Sequence, residues 1–219
     1  MLDRIEIEPN TGAANASVIW LHGLGASGDD FSPIVPQLKL NESIRARFIF
    51  PHAPLRAITF NGGVEMPAWY DFTINGMKRE VDPKDLNQSR QQILALIEQE
   101  IERGVPSNRI VLAGFSQGGA IAYDVAFSVQ HPIAGLMAMS TYVADEQSLD
   151  FSIQPANLPI HIYHGIHDQV VPLALGKDAL AILERHGLKP EFSEYAMEHS
   201  VCLSQIRDIS AFLNFVLGE

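Results

Sequence analysis

Short apolar segments alternate with longer amphipathic ones along almost the whole chain of 219 residues. Several of the short segments are apolar almost throughout, as a strand covered on both faces must be. Strands that alternate with helices predict an α/β fold, with a mostly parallel central sheet and helices on both faces. The predicted strands cover residues 4–8, 17–21, 47–50, 109–113, 133–139, 159–163 and 191–195.

The clearest helical pattern lies in residues 86–103. Ile93, Ile97 and Ile101 recur on one helical face, and the following Gly-Val-Pro sequence places a glycine in the C-cap role. Segments 118–129, 173–186 and 203–217 are also predicted to be helical. Each of these helices follows a predicted strand, as the α/β pattern requires.

Residues 114–118, with the sequence Gly-Phe-Ser-Gln-Gly, stand between a predicted strand and a predicted helix. A turn this sharp forces its central residue into a strained backbone geometry, and glycines two residues to either side remove side chains that would collide there. The hydroxyl of Ser116 is then expected to stand exposed above the sheet as a nucleophile. The alternative is a glycine-rich turn whose serine only caps the next helix.

Partners for Ser116 are expected at the carboxyl edge of the sheet, where catalytic groups collect in folds of this kind. Asp168 comes shortly after the strand predicted at 159–163, and His199 comes after the strand predicted at 191–195. The chain order Ser, Asp, His is the one expected for an α/β-hydrolase. We therefore expect His199 to act as the base, with Asp168 orienting its imidazole.

Attack of a serine on an acyl carbonyl produces a negatively charged oxygen, which needs preorganised N–H donors. The backbone N–H of Gln117 is one candidate, because it follows the nucleophile at the predicted helix N-terminus. The backbone N–H of Leu24 is the second, in the His-Gly-Leu-Gly loop that follows the strand at 17–21. His22 is interpreted as shaping this loop rather than as a second base.

Composition narrows the classes of function and partner. Asp and Glu outnumber Lys and Arg by 26 to 15, for a net charge of -11 with no local basic cluster, so no nucleic-acid partner is expected. No apolar run reaches about 18 residues, so no membrane span is predicted. Length and a hydrophobic content of 47% fit a single domain over residues 1–219. One cysteine and an N-terminus without a basic-then-apolar pattern favour a cytoplasmic location.

Two other residue patterns suggest chemistry but favour simpler interpretations. His161, His164 and His167 recur every three residues beside Asp168, yet strand geometry sends the first two to opposite faces. No metal site and no cofactor are therefore expected. Cys202 lies at a predicted helix start without a glycine turn or a second base, and is expected to be a small buried residue.

Residues 55–85 contain too many glycines and prolines for one helix or strand, so a long loop is expected. Its portion 61–70 is rich in apolar and aromatic side chains and suits the wall of an acyl pocket. Met66 and Trp69 are the candidate pocket residues. The alternative is that Trp69 and Tyr70 anchor the loop in the core, and the two roles are compatible.

Five short motifs are spread over nearly the whole chain: residues 21–25 (Leu-His-Gly-Leu-Gly), 50–54 (Phe-Pro-His-Ala-Pro), 68–71 (Ala-Trp-Tyr-Asp), 114–119 (Gly-Phe-Ser-Gln-Gly-Gly) and 199–200 (His-Ser). Together they resemble the acyl-protein thioesterase and carboxylesterase family of small serine α/β-hydrolases. The resemblance implies a compact hydrolase without a large cap domain that acts on carboxylic esters or thioesters of small molecules or acylated proteins. It implies a homodimer, and the roles already given to Ser116, Asp168, His199, Leu24 and Gln117.

The chain departs from the family pattern at Glu198, where many members carry a glycine before the catalytic histidine. A carboxylate turned inward there would favour the charged form of the imidazole. The alternative is that Glu198 points to water.

Two classes of function remain open. The first is an esterase or thioesterase that acts through an acyl-Ser116 intermediate. The second is a non-catalytic α/β-hydrolase scaffold that binds a small apolar ligand, because a fold alone does not guarantee activity.

Overall fold

A seven-stranded sheet forms the centre of the computed structural model, which describes residues 2–76 and 78–218. The first two neighbours in the sheet are antiparallel and every other neighbouring pair is parallel, which confirms a mostly parallel sheet. All seven predicted strands are present, with ends that shift by at most two residues. In spatial order they are β1 (Arg4–Ile7), β3 (Ala46–Pro51), β2 (Ala16–Leu21), β8 (Ile110–Phe115), β9 (Gly135–Met139), β10 (Ile160–Gly165) and β11 (Glu191–Tyr195).

Helices cover both faces of the sheet, as predicted. Three of them pack in the core on one face, and the fourth packs on the other face together with apolar residues of segment 31–38. In the described part of the chain, no helix has the length and apolar character needed to cross a membrane. The helices are α1 (Pro83–Glu102), α2 (Gln117–Ala126), α3 (Leu173–Arg185) and α4 (Leu203–Leu217), the last three close to their predicted bounds.

Local capping explains why α1 begins three residues before its predicted start at 86. The carboxylate of Asp82 accepts hydrogen bonds from the backbone N–H groups of Lys84 and Asp85, at 2.8 and 3.0 Å. Pro83 occupies the first helical position, where its missing N–H costs nothing. An Asp-Pro pair therefore marked this start in the sequence more accurately than the apolar periodicity did.

The prediction of a long loop over residues 55–85 is wrong, because this part of the chain folds into two short hairpins followed by the start of α1. Its glycines mark turns: Gly62, Gly63 and Gly76 all have a positive φ. Four short strands lie on either side of those turns. The hairpins are β4 (Leu55–Ile58) with β5 (Val64–Pro67), and β6 (Phe72–Asn75) with β7 (Lys78–Val81).

Candidate active site

Ser116 lies in the turn between β8 and α2 with a φ of 54° and a ψ of -122°, a positive φ that residues other than glycine rarely adopt. Both flanking glycines are required by close backbone approaches. A Cβ atom at Gly114 would lie 2.3 Å from the carbonyl oxygen of Gly118, and one at Gly118 would lie 2.5 Å from the carbonyl oxygens of Leu21 and His22. The Ser116 side chain makes no capping bond to α2, so the simple helix-cap interpretation does not describe it.

The loops after β10 and β11 bring Asp168 and His199 into contact. The carboxylate oxygen Oδ2 of Asp168 lies 2.7 Å from Nδ1 of the His199 ring. The other oxygen, Oδ1, accepts the backbone N–H groups of Val170 and Val171, at 2.9 and 2.8 Å. Burial raises the pKa of Asp168, but the hydrogen bonds from His199 and the two backbone N–H groups outweigh it and lower that pKa. The carboxylate is therefore ionised at neutral pH and aimed at the imidazole.

His164 supports residues 166–172, the loop between β10 and α3 that carries Asp168 and that we call the acid loop. It lies at the end of β10, is fully buried, and its Nε2 donates to the carbonyl oxygen of Val171 at 2.8 Å. The same Nε2 is 3.8 Å from Oδ2 of Asp168. A Cβ at Gly176 of α3 would lie 2.4 Å from this ring, so the helix packs directly on the histidine. Sequence reasoning considered His164 only as a metal ligand and missed this supporting position.

The two backbone N–H groups predicted to bind an oxyanion belong to residues that line the same cavity as Ser116. Among the described residues, neither the N–H of Leu24 nor that of Gln117 has a hydrogen-bond acceptor. An unpaired backbone N–H at a cavity wall is costly unless water or a ligand accepts its hydrogen bond. Both groups are therefore free to bind an anionic oxygen.

The loop that carries Leu24 is held by His22 and Trp69. Nε2 of His22 accepts the backbone N–H of Ala53 at 3.0 Å, so the proton is on Nδ1, which donates to the carbonyl oxygen of Gly23 at 2.7 Å. Burial lowers the pKa of His22, which favours this neutral form. Nε1 of Trp69 donates to the carbonyl oxygen of His22 at 2.8 Å. The structure thus places His22 in a supporting position, as interpreted from the sequence.

A cavity of about 800 Å³ opens over Ser116 and His199. The Phe115 ring lies 4.6 Å from the His199 ring, centroid to centroid, and forms part of the wall. The proposed oxyanion residues line one side and the acid loop lines another. Further wall residues are Phe60, Phe72, Ile74, Arg79, Tyr142, Val170, Val171 and Val201.

The predicted wall residues Met66 and Trp69 are not among the residues that line this cavity. Trp69 is fully buried, and its backbone N–H donates to Oε1 of Gln117 at 2.8 Å. It therefore anchors the hairpin segment in the core, which was the alternative for Trp69. Met66 is partly buried on β5 and packs against that core. The wall comes instead from neighbouring residues of the same region, Phe60, Phe72 and Ile74.

The model of the phospholipase/carboxylesterase family matches residues 2–217 of this sequence. The chain belongs to this family. Two curated relatives are both named acyl-protein thioesterase 1. The protein from Neurospora crassa is 36% identical, with 94% of this chain and 88% of the relative covered. The protein from Mycosarcoma maydis is 32% identical, with 99% of this chain and 98% of the relative covered.

Solved structures place the fold of this family member among the α/β-hydrolases. Arabidopsis thaliana SOBER1 has a TM-score of 0.84 and 29% identity, covering 93% of this chain and all of that chain. Zea mays acyl-protein thioesterase 2 has a TM-score of 0.87 and 22% identity over the full length of both chains, a likeness that concerns the fold alone. No large cap domain is present in the described part of the chain.

Several wall residues of this family member were missed at the level of sequence. Phe72 and Ile74 alternate with polar Thr73 and Asn75, a period of two that indicates a strand with one apolar face. That signal could have placed Phe72 and Ile74 on one wall. Nothing in the sequence indicated that Arg79 would meet the acid loop.

Three other sequence features were considered as functional candidates: the histidines near Asp168, Glu198 and Cys202. No group of three or more metal-ligating side chains comes together among residues 2–76 and 78–218. Glu198 is exposed, which agrees with the alternative that it points to water. Cys202 does precede α4, but it is only partly buried, because its thiol lies near solvent, 2.9 Å from the Ser204 hydroxyl. The prediction that it is a buried residue is therefore wrong.

Proposed function

We propose that this family member is a serine hydrolase that cleaves carboxylic esters or thioesters through an acyl-Ser116 intermediate. The positive φ of Ser116 carries the proposal, because this strained turn presents the hydroxyl at a cavity that His199 also lines. Strain of this kind persists only where the surrounding structure enforces it. The paired Asp168 and the free N–H groups of Leu24 and Gln117 support the proposal.

In the acylation step, Oγ of Ser116 attacks the acyl carbonyl carbon while Nε2 of His199, the nitrogen not used by Asp168, takes the hydroxyl proton. The ionised Asp168 stabilises the imidazolium. The carbonyl oxygen becomes an oxyanion that the N–H groups of Leu24 and Gln117 bind. Collapse breaks the bond to the alcohol or thiol, which leaves with the proton from the imidazolium.

Deacylation repeats these proton transfers with water as the nucleophile. The water oxygen attacks the acyl carbonyl carbon while His199 takes a proton from that water. The N–H groups of Leu24 and Gln117 again bind the oxyanion of the tetrahedral intermediate. The Ser116 oxygen leaves with the proton from the imidazolium. The products are the carboxylic acid and the free serine, so the cycle needs no cofactor.

The substrate class follows from the cavity and the relatives. The wall is largely apolar, which suits an acyl chain. The Neurospora crassa and Mycosarcoma maydis relatives carry the name acyl-protein thioesterase. We extend the proposal to thioesters of acylated proteins as well as small-molecule esters.

The homodimer and the cytoplasmic location also stay predictions. Sedimentation of the purified chain tests whether it forms a homodimer.

A fluorophosphonate probe separates this enzyme from a non-catalytic ligand-binding scaffold. The proposal predicts a covalent adduct on Ser116, together with hydrolysis of p-nitrophenyl esters and of matched acyl thioesters. The value of kcat/KM along an acyl series of rising length then defines the preferred chain. A protein that binds these esters but forms no adduct and releases no product would be the scaffold.

A further inference from the structure

Arg79 is the only Lys or Arg among the described residues that line the cavity at Ser116. It lies on β7 and is half-buried. One guanidinium nitrogen donates to the carbonyl oxygen of Val170 at 2.6 Å, and the guanidinium carbon lies 4.7 Å above the centroid of the Tyr142 ring. These two contacts hold the cation between the hairpin β6–β7 and the acid loop.

The charge of Arg79 has no ion-pair partner among residues 2–76 and 78–218, unlike that of Arg56, which pairs with Asp85, or Arg90, which pairs with Asp124. Two carboxylates lie in the surroundings. Asp30 lines the same cavity but is exposed, and it accepts the backbone N–H of Ser27 at 2.6 Å.

Asp178 is the second carboxylate near Arg79. It lines a smaller adjoining cavity of about 220 Å³ that Arg79 also borders, and its side chain is exposed. The guanidinium spends one of its five N–H donors on Val170. Donors that could form a two-pronged contact with a carboxylate therefore remain unused.

Arg79 is a cation in a cavity wall that is otherwise largely apolar. Phe60, Phe72, Ile74 and Tyr142 also line the cavity, and the chain as a whole carries a net charge of -11. A cation beside apolar walls gains little from an uncharged acyl chain. An anion delivered there would form charge-assisted hydrogen bonds that are stronger than the same bonds in water.

We propose that Arg79 selects esters or thioesters that carry a second, negatively charged group, such as a carboxylate, away from the bond that is cleaved. This inference rests on the proposed function, because it concerns substrate choice at the same cavity. The carboxylate can belong to the acyl part or to the alcohol or thiol part of the substrate. The chemistry that Arg79 recognises is the same in both cases.

Two pairs of substrates test the inference and distinguish the two sources. The acyl pair is p-nitrophenyl hemiadipate and its methyl-capped diester, which differ at the distal end in charge and in one methyl group, and release of p-nitrophenol reports cleavage of the same bond in both. The leaving-group pair is the hexanoate ester of 4-hydroxyphenylacetate and that of methyl 4-hydroxyphenylacetate, in which a methylene group separates the charge from the phenol ring. We expect the wild-type protein to prefer the charged member of one pair by about tenfold to a hundredfold in kcat/KM, the range for a hydrogen bond to a charged group. The preference should weaken as salt is added.

Three variants assign that preference to Arg79. Arg79→Met should bring the ratio of charged to neutral substrate to about one, and Arg79→Lys should keep part of it, since a point charge remains without the planar fork. Arg207→Met removes the same charge from an exposed position on α4, outside the cavity, and should leave the ratio unchanged. Loss in the acyl pair assigns the carboxylate to the acyl part, and loss in the other pair assigns it to the leaving group.

Two results would overturn the inference. One is a wild-type ratio near one in both pairs. The other is an equal fall in kcat/KM on charged and neutral substrates in Arg79→Met. That result would assign Arg79 only a structural role, in which it joins the hairpin β6–β7 to the acid loop. Fluorophosphonate labelling of Ser116 separates these results from failure of the proposed function. A labelled, active protein without charge preference refutes only the role of Arg79, whereas an unlabelled and inactive protein refutes both.

Discussion

Two cavities of similar size are each lined by a serine and a histidine, and a carboxylate lies beside each of these histidines. The cavity at Ser116 measures about 800 Å³, and the second, which we call the distal cavity, measures about 890 Å³. The distal cavity is lined by residues of β10, β11 and α4, including Phe212 and Phe215. There the Ser193 hydroxyl lies 2.8 Å from Nε2 of His161, whose Nδ1 is 3.5 Å from the Glu191 carboxylate. Side-chain chemistry alone would make the two sets look alike.

The backbone around each serine separates the two cavities. Ser116 has a positive φ and stands at the N-terminus of α2, whereas Ser193 lies within the edge strand β11, paired with Tyr163. Glu191 is 77% exposed, whereas the Asp168 side chain is fully buried. The strained turn at the serine and the buried acid beside the histidine are thus the features that the distal cavity lacks. The difference teaches that the backbone, more than the residue types, makes a serine a candidate nucleophile.

The largest effect should come from removing the nucleophile. Ser116→Ala is expected to lower kcat/KM by at least about 10⁴-fold, because it removes the hydroxyl on which the acyl intermediate forms. Ser193→Ala is the matched change in the distal cavity and should leave kcat/KM within about twofold. Hydrolysis of a p-nitrophenyl ester measures both. Comparable losses in the two variants would abolish the distinction between the cavities.

The buried acid should have the next largest effect. Asp168→Asn is expected to lower kcat by about 10⁴-fold, because an amide favours the wrong imidazole tautomer and does not stabilise the imidazolium. Glu191→Gln makes the equivalent change beside His161 and should have no measurable effect on kcat. Steady-state kinetics with folding checked by circular dichroism provides the comparison. Full activity of Asp168→Asn would show that His199 does not depend on this carboxylate.

The strained turn can be tested through stability. Gly118→Ala places a methyl group against the carbonyl oxygens of Leu21 and His22, and it should reduce the free energy of unfolding by about 3 kcal/mol. Gly62→Ala is the control, since its φ is positive but nothing lies within 4 Å, and it should cost about 1 kcal/mol. Urea unfolding curves measure both changes. A Gly118→Ala protein as stable as the control would show that the turn tolerates a side chain.

Removing the support that Trp69 gives to residues 22–25, the loop that carries Leu24, should have a smaller effect on activity. Trp69→Phe removes the hydrogen bond to the carbonyl oxygen of His22 and should lower kcat by about tenfold, with KM little changed, because the N–H of Leu24 is less well placed. Trp20→Phe is the control. Trp20 is equally buried, but its Nε1 has no partner among the described residues. An equal fall in both variants, or a fall confined to KM, would assign Trp69 a packing role only.

The sheet and the positions around the nucleophile followed from the sequence for physical reasons. A strand buried on both faces must be apolar throughout, and such runs located the central strands of the sheet, whereas the edge strands β1 and β11 carry charged residues and are only partly buried. The turn at Ser116 was visible because close backbone approaches at Gly114 and Gly118 favour glycine at both positions. Asp168 and His199 follow strands whose carboxyl ends share one edge, so their contact could be expected before any coordinates.

The cavity wall could not be predicted in the same way. Met66 and Trp69 were chosen for apolar character, which does not distinguish a side chain facing a cavity from one buried beneath it. That choice depends on how the hairpins β4–β5 and β6–β7 fold back on the sheet. The contact of Arg79 with Val170 joins segments that are 91 residues apart in the sequence. No local pattern encodes such contacts.

The account depends most directly on a covalent acyl group at Ser116. The measurement is rapid acid quenching of a p-nitrophenyl ester reaction, followed by peptide mass mapping, since an activated ester favours accumulation of the acyl-enzyme. The expected result is a burst of p-nitrophenol close to one equivalent, with the acyl mass on the peptide that contains Ser116 and none on the peptide that contains Ser193. Turnover without any acylated peptide, or with the acyl group on Ser193, would contradict the account.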